Sequence, residues 1–263
     1  MIRSPLGLRL GRGTAEDTRA RLRGAGALGA KGVVFDATGP LSPRNLGETA
    51  RRELRHILRT TELSLIALHL PTRRPFDRDD GLDDRVARAD RAFELAYDLG
   101  SRICLLNIGA IPPSDAQPRR SHLMQAITLL ARRAEHRGVR LAIEAGEEQA
   151  SDLADLIASI SEPRPVVSID PGAFATRGED PAFAVRALGG AVVHSYATLA
   201  SESKQTPTDR PGLRRPMTMA VDWEDYMGAL EEVAYRGFVT IWPEPGDDAA
   251  TQFRWFESIF ARF

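Results

Sequence analysis

VRLAIEAGEEQASDLADLIASISEPRPVVSIDPG (139–172) holds one complete turn of the pattern that decides the fold. Two short apolar runs, VRLAIEAG (139–146) and PVVSIDPG (165–172), flank a segment of helical period that Ser151 is placed to cap. Side chains alternate along a strand, so Leu141 and Ile143 share one face while Ala142 and Glu144 share the other. In the second run Val167 and Ile169 oppose Ser168 and Asp170. Each strand therefore has an aliphatic face suited to packing on helices. Its opposite face is small or polar and ends in a carboxylate.

The unit repeats in both directions. Upstream strand candidates are LGLRL (6–10), GVVFDA (32–37), LSLIALHL (63–70) and RICLLNI (102–108); downstream are AVVHSYA (191–197) and GFVTIWPE (237–244). Helical segments lie between them. Ser42-Pro43 and Asp180-Pro181 place a cap before a first-turn proline, and Thr14, Ser121 and Asp222 are further cap candidates. Gly29, Gly100, Gly138 and Gly237 follow helical runs, where a left-handed residue ends a helix. Eight strand–helix alternations in 263 residues predict a closed (β/α)8 TIM barrel rather than an open doubly wound sheet. No composition shift marks a boundary, so residues 1–263 read as a single α/β domain.

The formal charge of −1 offers no basic field for nucleic acid or an anionic membrane surface. The single cysteine, Cys104, excludes an internal disulfide framework and lies in the apolar run ICLL as a core residue. With no long apolar segment and no signal-peptide pattern, the expected location is cytoplasmic.

Polar residues gather at the C-terminal ends of the strands, the end at which barrel active sites are assembled. In VVHSYA, Val193 and Ser195 are expected to oppose Val192, His194 and Tyr196. In FVTIWPE, Val239 and Ile241 oppose Thr240, Trp242 and Glu244, while earlier strands add Asp36, His69 and Asn107. Convergence of these groups on one rim predicts a functional pocket. Glu144 and Asp170, from adjacent strands, offer oxygen ligands to a divalent ion, or a carboxylate pair for acid–base work without one.

The chain resembles the sugar phosphate isomerase/epimerase family of xylose isomerase-like TIM barrels. The likeness runs through LGAKGVVFDATG, LSLIALHLPTRRPFD, RLAIEAG, SIDPGAF, VRALGGAVVH and VDWEDYMGALEEVAYRGFVT, which fall in family order and spacing. Working members resemble one another in a divalent-metal site built from Glu, Asp, His and Glu at the ends of strands five to eight. The metal holds neighbouring sugar oxygens, and the two glutamates move a proton beside the carbonyl. Carried over, the resemblance makes Glu144 a metal ligand and the catalytic base, and Asp170 the second ligand. It implies one divalent cation (Mn, Mg, Co or Zn) and no organic cofactor.

The pattern breaks on the last two strands. The liganding histidine is Tyr196, two residues after a retained His194, and the glutamate falls on Trp242, with Glu244 two residues further out. The Asp that follows the strand-seven histidines is Leu199, and the Asn or His three residues after Asp170 is Ala173. A phenol is a poor replacement for imidazole, and indole has no lone pair to offer.

Two functions follow from the half-kept set. One is isomerisation or epimerisation of a small sugar-like substrate with Glu144 as base. The other is metal-free binding of a sugar or metabolite, with Tyr196 and Trp242 lining the pocket and Asp36, Glu144 and Asp170 accepting hydroxyl hydrogen bonds. Under either reading Asp36, His69, Asn107, His194, Tyr196, Trp242 and Glu244 are the substrate-binding candidates. The histidine-poor rim argues against an apurinic-site endonuclease. Expected partners are therefore a small sugar-like ligand and copies of the chain, without nucleic acid or membrane. The stretch 198–221 reads as a long loop suited to a lid, and FRWFESIFARF (253–263) as a helix sealed on the barrel wall.

Overall fold

The computed structural model describes residues 4–11, 15–146, 148–198, 221–243 and 248–262. The strands are β1 (Leu6–Leu10), β2 (Gly32–Asp36), β3 (Ser64–Leu70), β4 (Ile103–Leu106), β5 (Arg140–Ala145), β6 (Val166–Ile169), β7 (Val192–Ala197) and β8 (Val239–Ile241). The helices are α1 (Ala15–Ala27), α2 (Glu48–Thr60), α3 (Leu82–Asp98), α4 (Gln117–His136), α5 (Ala150–Ser159), α6 (Pro171–Thr176), α7 (Pro181–Leu188), α8 (Trp223–Glu232) and α9 (Ala249–Phe260). Every neighbouring strand pair is parallel, and β1 pairs with β8 to close the barrel. Among the described residues no helix is long and apolar enough to cross a membrane.

Parallel strands are covered on both faces, which is why SLIALHL and ICLL are almost uninterrupted apolar runs. The outward side chains, among them Leu141, Ile143, Val167, Ile169, Val239 and Ile241, form the main core with the helices. A second, smaller cluster fills the barrel axis: Val34, Ile66, Ala67, Leu105, Ala142, Val166 and Tyr196. The barrel is thus a packed plug below and a polar mouth above.

Two ladders depart from simple alternation. The β2–β3 ladder pairs Val33 with Leu65 but Val34 with Ala67, so Ile66 is inserted and both Ile66 and Ala67 join the inner cluster. The β6–β7 ladder pairs Val167 with Val192 but Ser168 with His194, so a residue is inserted between them. Val192 consequently joins the outer core and Val193 packs against the inner cluster, the reverse of the alternation expected there.

Helix starts follow side-chain capping where an aspartate is available. Asp222 accepts from Glu224 N and Asp225 N at 3.0 and 3.2 Å, and Asp180 from Ala182 N at 3.0 Å. The Ser42-Pro43 device does not start a helix: Ser42 ends a 3-10 turn over Gly39–Leu41, and α2 begins at Glu48 behind Gly47. Ser121 and Ser151 lie inside α4 and α5, which start earlier at Gln117 and Ala150. Thr14 lies outside the described residues. In α9, Phe253, Phe256 and Phe260 are buried, and Trp223 meets Phe256 and Phe260 edge-on at 5.1 and 5.4 Å; Trp255 remains exposed and Phe263 is outside the described residues.

Gly29, Gly100 and Gly138 take the left-handed conformation behind their helices, but the left-handed residue after α8 is Ala234. Gly237 has another purpose. A Cβ there would lie 2.5 Å from the Val193 carbonyl and 2.5 Å from the Tyr235 hydroxyl, so only glycine lets these chains approach. Gly237→Ala is expected to cost about 1–3 kcal/mol in thermal melts, because a backbone carbonyl must move.

Candidate functional site

The mouth is built in two layers. In the lower one, His194 is fully buried between Ser168 and Thr240, its Nδ1 2.7 Å from Ser168 Oγ and its Nε2 2.8 Å from Thr240 Oγ1. Burial, helped by the nearby Arg9 charge, pushes its pKa down to about 3 against the pull of Glu144. His194 is therefore a neutral ring with both nitrogens engaged, and its edge supports the Tyr196 ring at 4.6 Å. Sequence reasoning put it on the pocket wall; the structure leaves it fully buried, held between Ser168 and Thr240.

The upper layer centres on a residue that the sequence reading passed over. Arg9, on β1, is buried, and its guanidinium reaches across the mouth. Its Nη1 donates to the Tyr196 hydroxyl at 2.8 Å, and its Nη2 donates to Asp36 Oδ1 at 2.9 Å. The guanidinium carbon lies 3.6 Å from the centre of the Trp242 ring, a stacked cation–π contact, and Nη1 is 3.6 Å from Glu144 Oε1. The signal was present in LGLRL: Arg9 and Gly7 share the inward face, opposite Leu8 and Leu10. A charge at an inward strand position requires partners, and Arg9 finds them.

His69 joins the two carboxylates. Its Nδ1 is 2.8 Å from Asp36 Oδ1 and its Nε2 3.0 Å from Glu144 Oε2. Burial lowers the pKa of this ring, but the Glu144 charge and the hydrogen bonds to Asp36 and Glu144 outweigh it, so the net shift is upward. Burial likewise raises the two carboxyl groups, yet His69 and Arg9 hold both below the usual carboxylate range. The His69 Nδ1 also stands 2.6 Å from Arg9 Nη2. With the ring doubly protonated, both donors converge on Asp36 Oδ1; with Nδ1 bare, it accepts from Arg9 instead.

Tyr196 completes the layer by donating to Glu144 Oε1 at 3.2 Å. Burial raises its pKa well above the ordinary phenol value, which keeps it a neutral donor. Asp36 and Glu144 retain side-chain exposures of 12% and 17%, which marks where the layer meets solvent.

Asp36, His69, Glu144, Tyr196 and Trp242 are thus brought together. Asp170 stands on the same rim but is turned to local work: it caps α6 through Ala173 N at 3.2 Å and accepts from the Thr198 hydroxyl. Asn107 Oδ1 accepts from Gly109 N at 2.7 Å, bracing the loop after β4. Glu244, Leu199 and most of the 198–221 stretch lie outside the described residues.

Residues 22–259 match the family model described as xylose isomerase-like TIM barrel. The chain belongs to this family. A search of curated proteins finds no match. Among solved structures, a xylose isomerase domain protein from Planctomyces limnophilus superposes with a TM-score of 0.79 at 19% identity, covering 99% of this chain and 96% of that one. A D-allulose 3-epimerase from Methylomonas sp. gives 0.76 at 16% identity, covering 99% of each chain. A 3-keto-D-glucoside 4-epimerase from E. coli gives 0.74 at 12% identity, covering 100% of each. At these identities the likeness establishes the xylose isomerase-like fold.

The divalent cation implied by the family resemblance does not fit the donors of this barrel. Indole at 242 supplies no ligand, Tyr196 is held as a neutral phenol, and Glu144 is committed to His69 and Tyr196. With Arg9 in place, no group of three or more His, Cys, Asp or Glu side chains among the described residues is arranged to hold a metal.

Proposed function

We propose that the mouth binds a small, sugar-like polyhydroxylated metabolite. The observation that carries this reading is the polar layer of Arg9, Asp36, His69 and Glu144, partly open to solvent and flanked by Trp242. Carboxylates accept hydroxyl hydrogen bonds, and an aromatic face suits the apolar side of a sugar ring. The barrels it resembles include a D-psicose 3-epimerase solved with D-tagatose and a D-allulose 3-epimerase solved with D-allulose, which supports sugars as the first ligand class to try.

A second reading, isomerisation or epimerisation of such a ligand, draws on one contact. Glu144 Oε2 and His69 Nε2 stand 3.0 Å apart, a carboxylate–imidazole pair between which a proton can pass. Saturation-transfer NMR with D-fructose, D-tagatose and D-allulose tests the binding reading. Transfer to ring protons that vanishes in Trp242→Ala and Asp36→Ala is the expected result; no transfer from any of the three would remove the sugar reading. Running the same samples in D2O separates the two readings, since proton transfer at carbon replaces C–H by C–D at the carbon beside the carbonyl.

A further inference from the structure

The resemblance seats a divalent cation between four positions, which in this chain are Glu144, Asp170, Tyr196 and Trp242. The guanidinium of Arg9 is in contact with three of them: Nη1 is 2.8 Å from the Tyr196 hydroxyl and 3.6 Å from Glu144 Oε1, and the ring of Trp242 lies 3.6 Å from its central carbon. The fourth, Asp170, is turned to Thr198 and the start of α6.

We propose that Arg9 is the built-in cation of this barrel, standing beside Glu144 in place of a divalent ion. The inference concerns the mouth read above as the ligand site and explains why its last two strands changed. A guanidinium is planar, so its donors reach Asp36 and Tyr196 in its plane while its face is left for an aromatic ring. Tyr196 and Trp242 supply those partners: a hydroxyl that accepts from Nη1 and an indole face that covers the cation. Neither side chain serves a metal well, and each serves a guanidinium. An ion ligated by Glu144 would sit against the fixed positive charge of Arg9, and the two cannot share that carboxylate at close range.

Elemental analysis after dialysis against Mn2+, Co2+ or Zn2+ tests this on the intact protein. The wild type is expected to retain far less than one ion per chain, and its melting temperature to ignore both these ions and EDTA. Arg9→Ala removes the resident charge and leaves Asp36, His69 and Glu144 around the gap. That variant is expected to gain Mn2+ or Zn2+ affinity on the order of tenfold or more, with a rise in melting temperature that Glu144→Gln in the same background abolishes. Arg9→Lys keeps the charge and is expected to stay blind to the ions. A wild type carrying one ion per chain that Glu144→Gln releases would overturn the proposal. So would an Arg9→Ala protein, folded by circular dichroism, with no more cation affinity than wild type. If Arg9→Ala does not fold, the wild-type ion content still decides. Failure of the three sugars to bind would remove the sugar reading and leave all of these metal outcomes standing.

Discussion

Arg9→Met is expected to destabilise the barrel by about 3–5 kcal/mol, because it breaks a buried ion-pair network by removing one partner. For a chain of this size that lowers the melting temperature by roughly 10 °C. The Arg9 side chain is 3% exposed, so water cannot take over its role once it is gone. Methionine nearly matches it in length but leaves the Tyr196 hydroxyl without a donor and Asp36 with His69 alone. The loss also depends on pH. Asp36 and Glu144 are held below their ordinary values, so the stability they contribute is present above the unfolded carboxylate range and fades as pH falls through their folded values. Without Arg9 both folded values rise. The gap between wild type and variant should therefore be widest near neutrality and close toward acid. Thermal melts followed by circular dichroism across that range measure it, and a loss under about 1 kcal/mol at neutral pH would show that the network is not held by Arg9.

The barrel was legible because its signal is repeated: eight apolar runs separated by helical segments survive any one misread boundary. The inward facing of Glu144 was legible because period-two alternation carries to the end of β5. Asp36 and His69 stood out only as polar residues near strand ends, since the residue inserted at Ile66 breaks the alternation of β3. What escaped has specific causes. Arg9 lies in LGLRL, four of whose five residues are apolar or glycine, and composition hid the one inward charge. The depth of His194 depends on the residue inserted opposite β6, which no single strand reveals. Asp170 directly follows β6 and caps α6, but its engagement by Thr198 depends on where the chain turns after β7, a tertiary fact. Helix starts failed where serine competed with a nearby turn, as at Ser42, and succeeded where aspartate stood directly before the first turn, as at Asp180 and Asp222.

Glu144→Gln isolates the other half of the network. The carboxylate faces donors on both oxygens, His69 on Oε2 and Tyr196 on Oε1. An amide can accept on one side only and turns its own N–H groups toward a donor on the other. One buried donor is left unmet, at a cost of about 2–3 kcal/mol near neutral pH. The alkaline side carries the more specific expectation. His69 has its pKa raised, against the effect of burial, chiefly by the Glu144 charge. A raised folded value means that the stability His69 contributes is complete below its unfolded pKa and is lost as pH climbs through the folded one. With a neutral amide at 144 the folded value drops, so this alkaline loss should begin at lower pH than in the wild type. The acid loss due to Glu144 itself should disappear, since that titration no longer exists. Stability measured from acid to alkaline pH, together with the NMR titration of the His69 ring, reads both limbs. If the ring titrates at the same pH in both proteins, Asp36 rather than Glu144 sets the charge state of His69, and the centre of the mouth lies one strand pair away, between β2 and β3.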